Sequence, residues 1–264
     1  MQKTAIIVID ALRYDVAVDF APRTLHLYKC RSLADTTEPS LTTILSGLKP
    51  EEHGIVRTGQ RDARRMLRRI RDRLLPRFFR SSFIASPAIL FHPYFTYGTV
   101  AKYSEEIFTE AVKYLGKVDF MLLHCMDCHD MRSTPGLALK YYEGYEPIPE
   151  HVLEWRPPSG LPRPYEDDLR YARDAGWLKA KYRASVHHVF ENIDLFLPSL
   201  RGWRIILTAD HGESMVYWHH DSVPDPSVYE VPLMTNLRLE DRVYDHIDIY
   251  RMVVGFAEKQ FLMP

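Results

Sequence analysis

An apolar run, Thr4-Ala-Ile-Ile-Val-Ile9, ends abruptly at Asp10, the first charged residue after Lys3. Unbroken apolar runs of this length that are rich in Ile and Val are typical of strands buried in a parallel sheet. Comparable runs recur at Ser82–Ala85, Phe120–Leu123 and Trp203–Leu207, with a weaker one at Pro232–Met234. Because such runs repeat along the chain, they predict several strands of one sheet.

Stretches of helical periodicity separate these runs. Helices are predicted at Leu41–Ser46, Ala63–Leu75, Glu105–Leu115, Leu178–Leu197 and Ile247–Lys259. Strands that alternate with helices are typical of an α/β fold with a parallel sheet. The chain is therefore predicted to be α/β.

Length and composition limit the class of protein. The chain has 264 residues, of which 46% are hydrophobic and 26% charged, which excludes a disordered, collagen-like or coiled-coil protein. This length suffices for one large core, so a single domain over residues 1–264 is expected. Lys and Arg number 34 against 35 Asp and Glu, so any attraction to nucleic acid or anionic lipid must be local.

The cellular compartment is predicted from cysteine content and from the N-terminal sequence. Three cysteines are too few for a disulfide scaffold, and the first ten residues lack the basic, apolar and small-residue sections of a signal peptide. No apolar stretch reaches about 18 residues, the length of a transmembrane helix. A soluble, cytoplasmic protein without a transmembrane segment is expected.

Polar residues follow three of the predicted strands. The first strand runs into Asp10, the third into His124-Cys-Met-Asp127-Cys-His129-Asp130, and the fourth into Thr208-Ala-Asp210-His211-Gly-Glu213. In open α/β sheets ligands bind outside the carboxyl ends of the strands. Carboxylate oxygens and imidazole nitrogens together suit zinc, manganese or iron, whereas calcium prefers oxygen almost alone. The alternatives are that Asp10 caps a following helix and that Asp210-His-Gly arises by chance.

Hydroxyl side chains precede another predicted helix, in Thr36-Thr37-Glu-Pro-Ser-Leu-Thr-Thr43. A nucleophile at this position would lie beside the positive end of a helix dipole. Ser and Thr are also common N-caps, and that structural use is the alternative interpretation of this segment.

These motifs, in this order, resemble the alkaline phosphatase superfamily, and in particular its sulfatase-like branch. The resembling segments include Val8-Ile-Asp10, Thr37-Glu-Pro-Ser40, His124-Cys-Met-Asp127-Cys-His129, Asp210-His-Gly-Glu213 and Tyr229-Glu-Val-Pro-Leu233. The third differs from the family pattern His-x-Met-Asp-Pro-His by Cys128 in place of proline. The resemblance implies a three-layer sandwich with a central, mainly parallel sheet and a divalent metal, zinc or manganese, at the strand ends.

The resemblance also implies roles for individual residues. Asp10, Asp210 and His211 would hold the metal, and Thr37 would be both its fourth ligand and the attacking nucleophile. Coordination to a dication lowers the pKa of a hydroxyl, which a threonine needs at neutral pH. A covalent phospho-threonine would form and then be released by water.

Two departures from the family sulfatases change the expected chemistry. Those enzymes oxidise a cysteine or serine to an aldehyde hydrate, and an arginine follows the motif's proline by two residues; this chain has Thr37 and Leu41 at those positions. Hydrolysis of phosphate esters, diesters rather than monoesters, is therefore expected in place of sulfatase activity. The alternatives are a phosphoryl transferase like the phosphoethanolamine transferases, and a binding protein with a degenerate site.

The sequence leaves open whether the site binds a second metal ion. Its candidate ligands are Asp127, His129 and one of His219 and His220. With a single metal, His129 and His219 would instead bind the substrate phosphate, together with Arg13, which lies in the family's opening segment. His219 and His220 could also be surface residues of a loop.

Two further segments have distinctive compositions. Ten arginines and no lysine lie between Arg57 and Arg80, with apolar residues at helical spacing, which predicts an amphipathic basic helix. This helix could contact an anionic substrate, nucleic acid or anionic lipid, or it could present a merely solvated face. A proline-rich segment at about residues 131–164 predicts a surface excursion, which could be a lid or a non-functional insertion.

Overall fold

One mixed sheet dominates the computed structural model, which describes residues 2–141, 175–215 and 220–261. In these residues the strand order is β4-β3-β5-β1-β6-β7-β2-β8. The strands are β1 (Thr4–Ile9), β2 (His26–Arg31), β3 (Ser82–Ala85), β4 (Tyr97–Thr99), β5 (Phe120–Cys125), β6 (Arg204–Thr208), β7 (Glu230–Thr235) and β8 (Tyr244–Asp245).

The sheet is parallel except around β7. Strand β1 pairs in parallel with β5 and β6, and β3 pairs in parallel with β4 and β5, whereas β7 is antiparallel to both β6 and β2. All six residues of β1 are buried, as expected for a central strand that is covered on both faces. The predicted α/β fold with a central, mainly parallel sheet is confirmed.

The helices pack in two groups. The helices are α1 (Tyr14–Ala17), α2 (Thr37–Ser46), α3 (Pro50–His53), α4 (Ala63–Ile70), α5 (Ser104–Val112), α6 (Pro135–Lys140), α7 (Ala175–Phe196) and α8 (His246–Phe261). Helix α2 contacts α8 in one group, and α7 contacts both α5 and α6 in the other. None of the helices in the described ranges combines the length and the apolar character that a membrane span needs.

Several predicted boundaries differ from the structure. The helix predicted over Ala63–Leu75 ends at Ile70 and continues as two short 3-10 turns, and the residue between those turns, Leu74, is extended. Pro76 follows closely, and proline does not continue a helix. Strands β2, β4 and β8 were absent from the prediction because they are short or only partly buried, so no apolar run marks them.

The start of the predicted proline-rich excursion is helical. Residues Pro135–Lys140 form α6, which packs on α7 through a small apolar cluster that includes Ala138, Ala180 and Ala184. The rest of the segment, from residue 142 to 164, lies outside the described residues.

Candidate active site

The register of three parallel strands brings the polar strand ends together. Val8 of β1 pairs with His124 of β5 on one side and with Thr208 of β6 on the other. Directly after β1, the Asp10 backbone N–H donates a hydrogen bond to the carbonyl of Cys125, the last residue of β5, at 2.8 Å. Asp10 therefore lies between the segments that follow β5 and β6.

Two aspartates and two histidines form a buried cluster at this edge. The His211 Nε2 atom lies 3.5 Å from Asp10 Oδ1 and 3.5 Å from Asp210 Oδ2. The His124 Nε2 atom lies 3.1 Å from Asp10 Oδ2 and 3.9 Å from Asp210 Oδ2. All four side chains are at most 1% exposed. We call these four residues the acid–histidine cluster.

The backbone around the cluster is unusual at two positions. Ala11 has φ 62°, a left-handed conformation that non-glycine residues rarely adopt, and its N–H donates to Asp210 Oδ1 at 3.3 Å. Such strained residues persist where the surrounding structure holds them, often at functional sites. At Gly212 a Cβ atom would collide with the carbonyl oxygen of Ser227, so only glycine fits after His211.

Three atoms of the cluster show that it suits a metal ion. Asp10 Oδ1, Asp210 Oδ2 and His211 Nε2 are buried and have no hydrogen-bond partner among the described residues. Buried polar atoms are nearly always satisfied, so orphaned atoms that face each other need an explanation. Carboxylate oxygens and an imidazole nitrogen are a ligand set that zinc and manganese accept. The donor set therefore fits a divalent metal.

The Thr37 hydroxyl reaches this cluster from the first position of α2. Its Oγ1 atom donates to Asp10 Oδ2 at 3.1 Å. The preceding Thr36 occupies the N-cap position, but its side chain makes no capping hydrogen bond, and its buried hydroxyl has no partner among the described residues. The interpretation of this segment as a simple side-chain N-cap therefore finds no support at Thr36.

Sequence reasoning did not select His124 as a site residue. Its second nitrogen, Nδ1, lies 3.1 Å from Ser86 Oγ, so both ring nitrogens have partners, unlike His211 Nε2. The ligand-type atoms of His124, Asp10 and Asp210 all lie within 4.8 Å of one another, so His124 is a further candidate metal ligand as well as a hydrogen-bond partner of Asp10. The feature of the sequence that could have identified His124 is its position near the end of β5, the strand that pairs with β1, which Asp10 follows.

The charges of the cluster depend on one another. Burial would raise the pKa of Asp10, but the charge of His129 and the hydrogen bond with His124 outweigh it and hold the pKa well below its ordinary value. Burial lowers the pKa of His124, yet its hydrogen bond with Asp10 produces a net rise. Asp10 is thus held as an anion.

Two more histidines border the cluster. Burial lowers the pKa of His129, but the charge of Asp10 and the contact with Asp130 outweigh it and raise the pKa to about 9. The His220 ring lies 4.0 Å from the His211 ring, centroid to centroid, and Glu213 raises the pKa of His220 against the effect of burial. Both histidines thus have raised pKa values beside the acid–histidine cluster, which favours their cationic forms.

Asp127 does not face these histidines. Its carboxylate accepts hydrogen bonds from the Ser104 backbone N–H at 2.9 Å and from the Ser104 hydroxyl at 2.8 Å, at the start of α5. Its ligand-type atoms instead lie near those of Glu105 and His188. Asp127 is therefore not placed to form a second metal site with His129 and His220.

The remaining predicted site residues have other surroundings. The Arg13 guanidinium donates to Asp15 at 2.7 and 2.9 Å and to the carbonyl of Glu213 at 3.0 Å, so its donors already have partners. His219 lies outside the described residues.

Solved structures share this fold at low sequence identity. A 2-O GAG sulfatase superposes with a TM-score of 0.70 at 14% identity, covering 97% of this chain and 70% of that one. A second structure, in complex with its substrate D-glucosamine-2-N,6-O-disulfate, gives a TM-score of 0.70 at 13% identity, covering 97% and 76%. The C-terminal periplasmic domain of phosphoethanolamine transferase EptC from Campylobacter jejuni gives 0.58 at 12% identity, covering 98% and 90%.

These comparisons establish the fold. No family model and no curated protein matches the sequence. The shared architecture confirms the predicted sulfatase-like, alkaline phosphatase-like fold, and the proteins that have it include sulfatases and a phosphoethanolamine transferase.

Proposed function

We propose that this protein is a metal-dependent hydrolase of phosphate esters, with phosphodiesters preferred, that acts through a covalent intermediate on Thr37. The observation that carries the proposal is the 3.1 Å hydrogen bond from the Thr37 hydroxyl to Asp10, within a buried cluster whose three orphaned atoms suit a divalent metal. A hydroxyl, a metal-type ligand set and two histidines with raised pKa values together suit nucleophilic attack on an anionic ester.

The residue at position 37 favours phosphate over sulfate as the reacting group. The sulfatases that this chain resembles use a cysteine or serine that is oxidised to an aldehyde, and threonine cannot form that aldehyde. Leu41 also stands where those sulfatases have an arginine. Within the superfamily, a threonine nucleophile resembles the phosphodiesterases, which is the reason for preferring diesters.

Each protein group has a definable task in this chemistry. A bound divalent metal would lower the pKa of the Thr37 hydroxyl and offset negative charge on the ester. Asp10 accepts the hydrogen bond of that hydroxyl and so orients its oxygen. The N-terminus of α2 adds the positive end of its dipole beside the same oxygen.

The reaction then follows in two displacements. The Thr37 hydroxyl loses its proton as its oxygen forms a bond to phosphorus, the ester P–O bond breaks, and the leaving alkoxide takes up one proton to become an alcohol, so no net proton is released. Water next attacks the phosphorus, which is still esterified to the second alcohol, the bond from phosphorus to the Thr37 oxygen breaks, and that oxygen takes one proton of the attacking water. His129 and His220, whose pKa values are raised, hold the phosphate oxygens through both displacements.

The test compares three chromogenic esters with the zinc- or manganese-loaded protein. We expect turnover of bis-p-nitrophenyl phosphate above that of p-nitrophenyl phosphate, and none of p-nitrophenyl sulfate. Mass spectrometry of protein that is acid-quenched during turnover of the diester should find a p-nitrophenyl phosphoryl group on the peptide that contains Thr37, because the attack displaces only one of the two p-nitrophenolates. Cleavage of the sulfate ester alone, or a phosphoryl group on another residue, would contradict the proposal.

A transferase is the second outcome of the same assay. If an added primary alcohol diverts the phosphoryl group from water and raises turnover strongly, the acceptor is an alcohol and the protein is a phosphoryl transferase. Release of the same phosphate product with and without the alcohol supports hydrolysis.

A further inference from the structure

The surface between residues 61 and 80 is almost purely cationic. Every exposed residue in this stretch is an arginine except Asp72, while the apolar side chains point inward or are half-buried. The exposed arginines, taken with Arg57, are Arg57, Arg61, Arg64, Arg65, Arg68, Arg69, Arg71, Arg73, Arg77 and Arg80. We call this surface the arginine face.

Acidic side chains balance only part of this charge. Asp62 pairs with Arg65 at 2.9 Å, Asp72 approaches Arg71 and Arg77 at 3.6 and 3.9 Å, and Asp119 pairs with Arg80 at 3.4 Å. For the other six arginines, no carboxylate of the described residues lies within ion-pair distance; they are Arg57, Arg61, Arg64, Arg68, Arg69 and Arg73. The face is therefore a strong, locally uncompensated positive field.

One end of the arginine face lies at the candidate active site. The Glu38 backbone N–H donates to the Thr58 hydroxyl at 3.1 Å, and the Gly59 backbone N–H donates to the Glu38 carboxylate at 2.9 Å. Because Glu38 follows Thr37 directly, the loop that carries Arg57 is tied to the first turn of α2. The loop that precedes α4 and carries Arg57 is thus hydrogen-bonded to the residue that follows the proposed nucleophile.

We propose that the arginine face binds the backbone phosphates of a single-stranded polynucleotide, one of whose phosphodiester linkages reaches Thr37. This inference rests on the proposed function, since it names the class of diester that the site would cleave. Guanidinium groups bind phosphate oxygens in a bidentate manner, and a row of them matches a chain with regularly repeated phosphates.

Two features favour a single strand over other anionic partners. From Arg57 to Arg80 no exposed side chain is apolar, and the single exposed valine that precedes them, Val56, is a small group to insert into a lipid bilayer. Thr37 is half-buried and its hydroxyl donates to the fully buried Asp10, so a linkage must approach the protein surface closely to reach the Thr37 oxygen, which a flexible single strand does more easily than a duplex.

The experiment measures binding separately from turnover. Fluorescence anisotropy with a fluorescein-labelled oligothymidylate is recorded over a salt series, using the Thr37→Ala protein. The double variant Arg64→Gln/Arg68→Gln is compared with Arg201→Gln/Arg238→Gln, which removes the same charge from two exposed arginines elsewhere. We expect the slope of log affinity against log salt to fall by about 1.4 only in the first pair, because each lost phosphate contact on a single strand contributes about 0.7.

Other outcomes would overturn the inference. Equal effects of the two arginine pairs would mean that only net charge matters. Binding of phosphatidylserine vesicles that depends on Arg64 and Arg68, without binding of the oligothymidylate, would assign the face to a membrane surface. Circular dichroism of both double variants checks that each is folded.

Failure of this inference is distinguishable from failure of the proposed function. If wild-type protein cleaves bis-p-nitrophenyl phosphate but neither binds nor cleaves oligothymidylate, the polynucleotide inference is wrong and the hydrolase proposal stands. If oligothymidylate binds with the expected salt dependence but no ester is cleaved, the assignment of a polynucleotide as substrate fails together with the hydrolase proposal.

Discussion

The acid–histidine cluster and the arginine face hold charge in opposite ways. In the cluster, the side chains of Asp10, Asp210 and His211 are at most 1% exposed. The His211 Nε2 atom lies 3.5 Å from a carboxylate oxygen of each aspartate. On the arginine face, the guanidinium groups are exposed, and six have no carboxylate within ion-pair distance among the described residues. Water and ions compensate the second set, whereas only protein groups or a bound metal compensate the first.

This difference determines how each region responds to change. An uncompensated buried charge costs several kcal/mol, by order of magnitude, so every partner in the cluster is individually important. An exposed charge in high dielectric contributes only about 0–1 kcal/mol to an ion pair and is screened by salt. Large, specific effects are therefore expected in the cluster, and small, additive, salt-dependent effects on the arginine face.

Replacement of Thr37 should produce the largest effect. Thr37→Ala removes the attacking oxygen, so turnover of bis-p-nitrophenyl phosphate should fall by roughly three or more powers of ten, comparable with the loss of other catalytic nucleophiles. Metal binding should persist, because Asp10, Asp210 and His211 remain.

The matched control is Thr36→Ala, which removes a hydroxyl one residue away that makes no capping hydrogen bond. This variant should keep most of the activity in the same steady-state assay. The opposite pattern, an inactive Thr36 variant and an active Thr37 variant, would move the nucleophile to Thr36.

Metal titration measures how many metal ions the buried cluster binds and which of its side chains hold them. We expect one equivalent of zinc or manganese per chain by calorimetry, and Asp210→Asn should weaken its affinity by at least about 100-fold, because it removes a charged ligand. Asp127→Asn should leave one equivalent bound, because Asp127 hydrogen-bonds to Ser104. If the wild type binds two equivalents and Asp127→Asn loses one of them, the protein has a second metal site that includes Asp127.

The pH dependence of stability should report on the buried Asp127. Burial raises its pKa to about 6, despite the hydrogen bonds from Ser104, so the folded protein binds this proton more tightly than the unfolded chain. The stabilisation is complete below the unfolded pKa of 3.8 and is lost as pH rises through about 6. Between those limits the wild type should lose up to about 3 kcal/mol relative to Asp127→Asn.

Urea unfolding of both proteins at several pH values measures this difference. Taking the difference cancels the contributions of other titrating groups, such as His53 and His246, whose burial lowers their pKa values to about 4. Parallel curves for the two proteins would show that Asp127 has an ordinary pKa.

Single substitutions on the arginine face should have the smallest effects. Arg68→Gln should change the free energy of unfolding by no more than about 0.5 kcal/mol, since exposed side chains without a specific partner contribute little. Thermal unfolding at low and high salt checks this. A loss comparable with that of a buried substitution would show that the guanidinium has a structural partner and would break the contrast between the two regions.

The sequence by itself determined the sheet and the acids that follow its strands. The runs Thr4–Ile9 and Ser82–Ala85 became strands with those same bounds, because unbroken apolar runs are stable only when covered on both faces. Asp10 and Asp210 could be placed at the same edge, because strands that run in parallel end on the same side. Strand β2 escaped prediction because its residues are mostly half-buried or exposed.

Only the tertiary structure decided which contacts are made by the polar side chains at the end of β5 and directly after it. Asp127 turns to the start of α5, where Ser104 satisfies its carboxylate, while His124 reaches Asp10 across the sheet. His129, in the same short segment, is placed where the charge of Asp10 raises its pKa. No periodicity encodes these directions, because they depend on helix α5 and strand β1, which are distant in the chain and supply the hydrogen-bond partners that buried polar groups require.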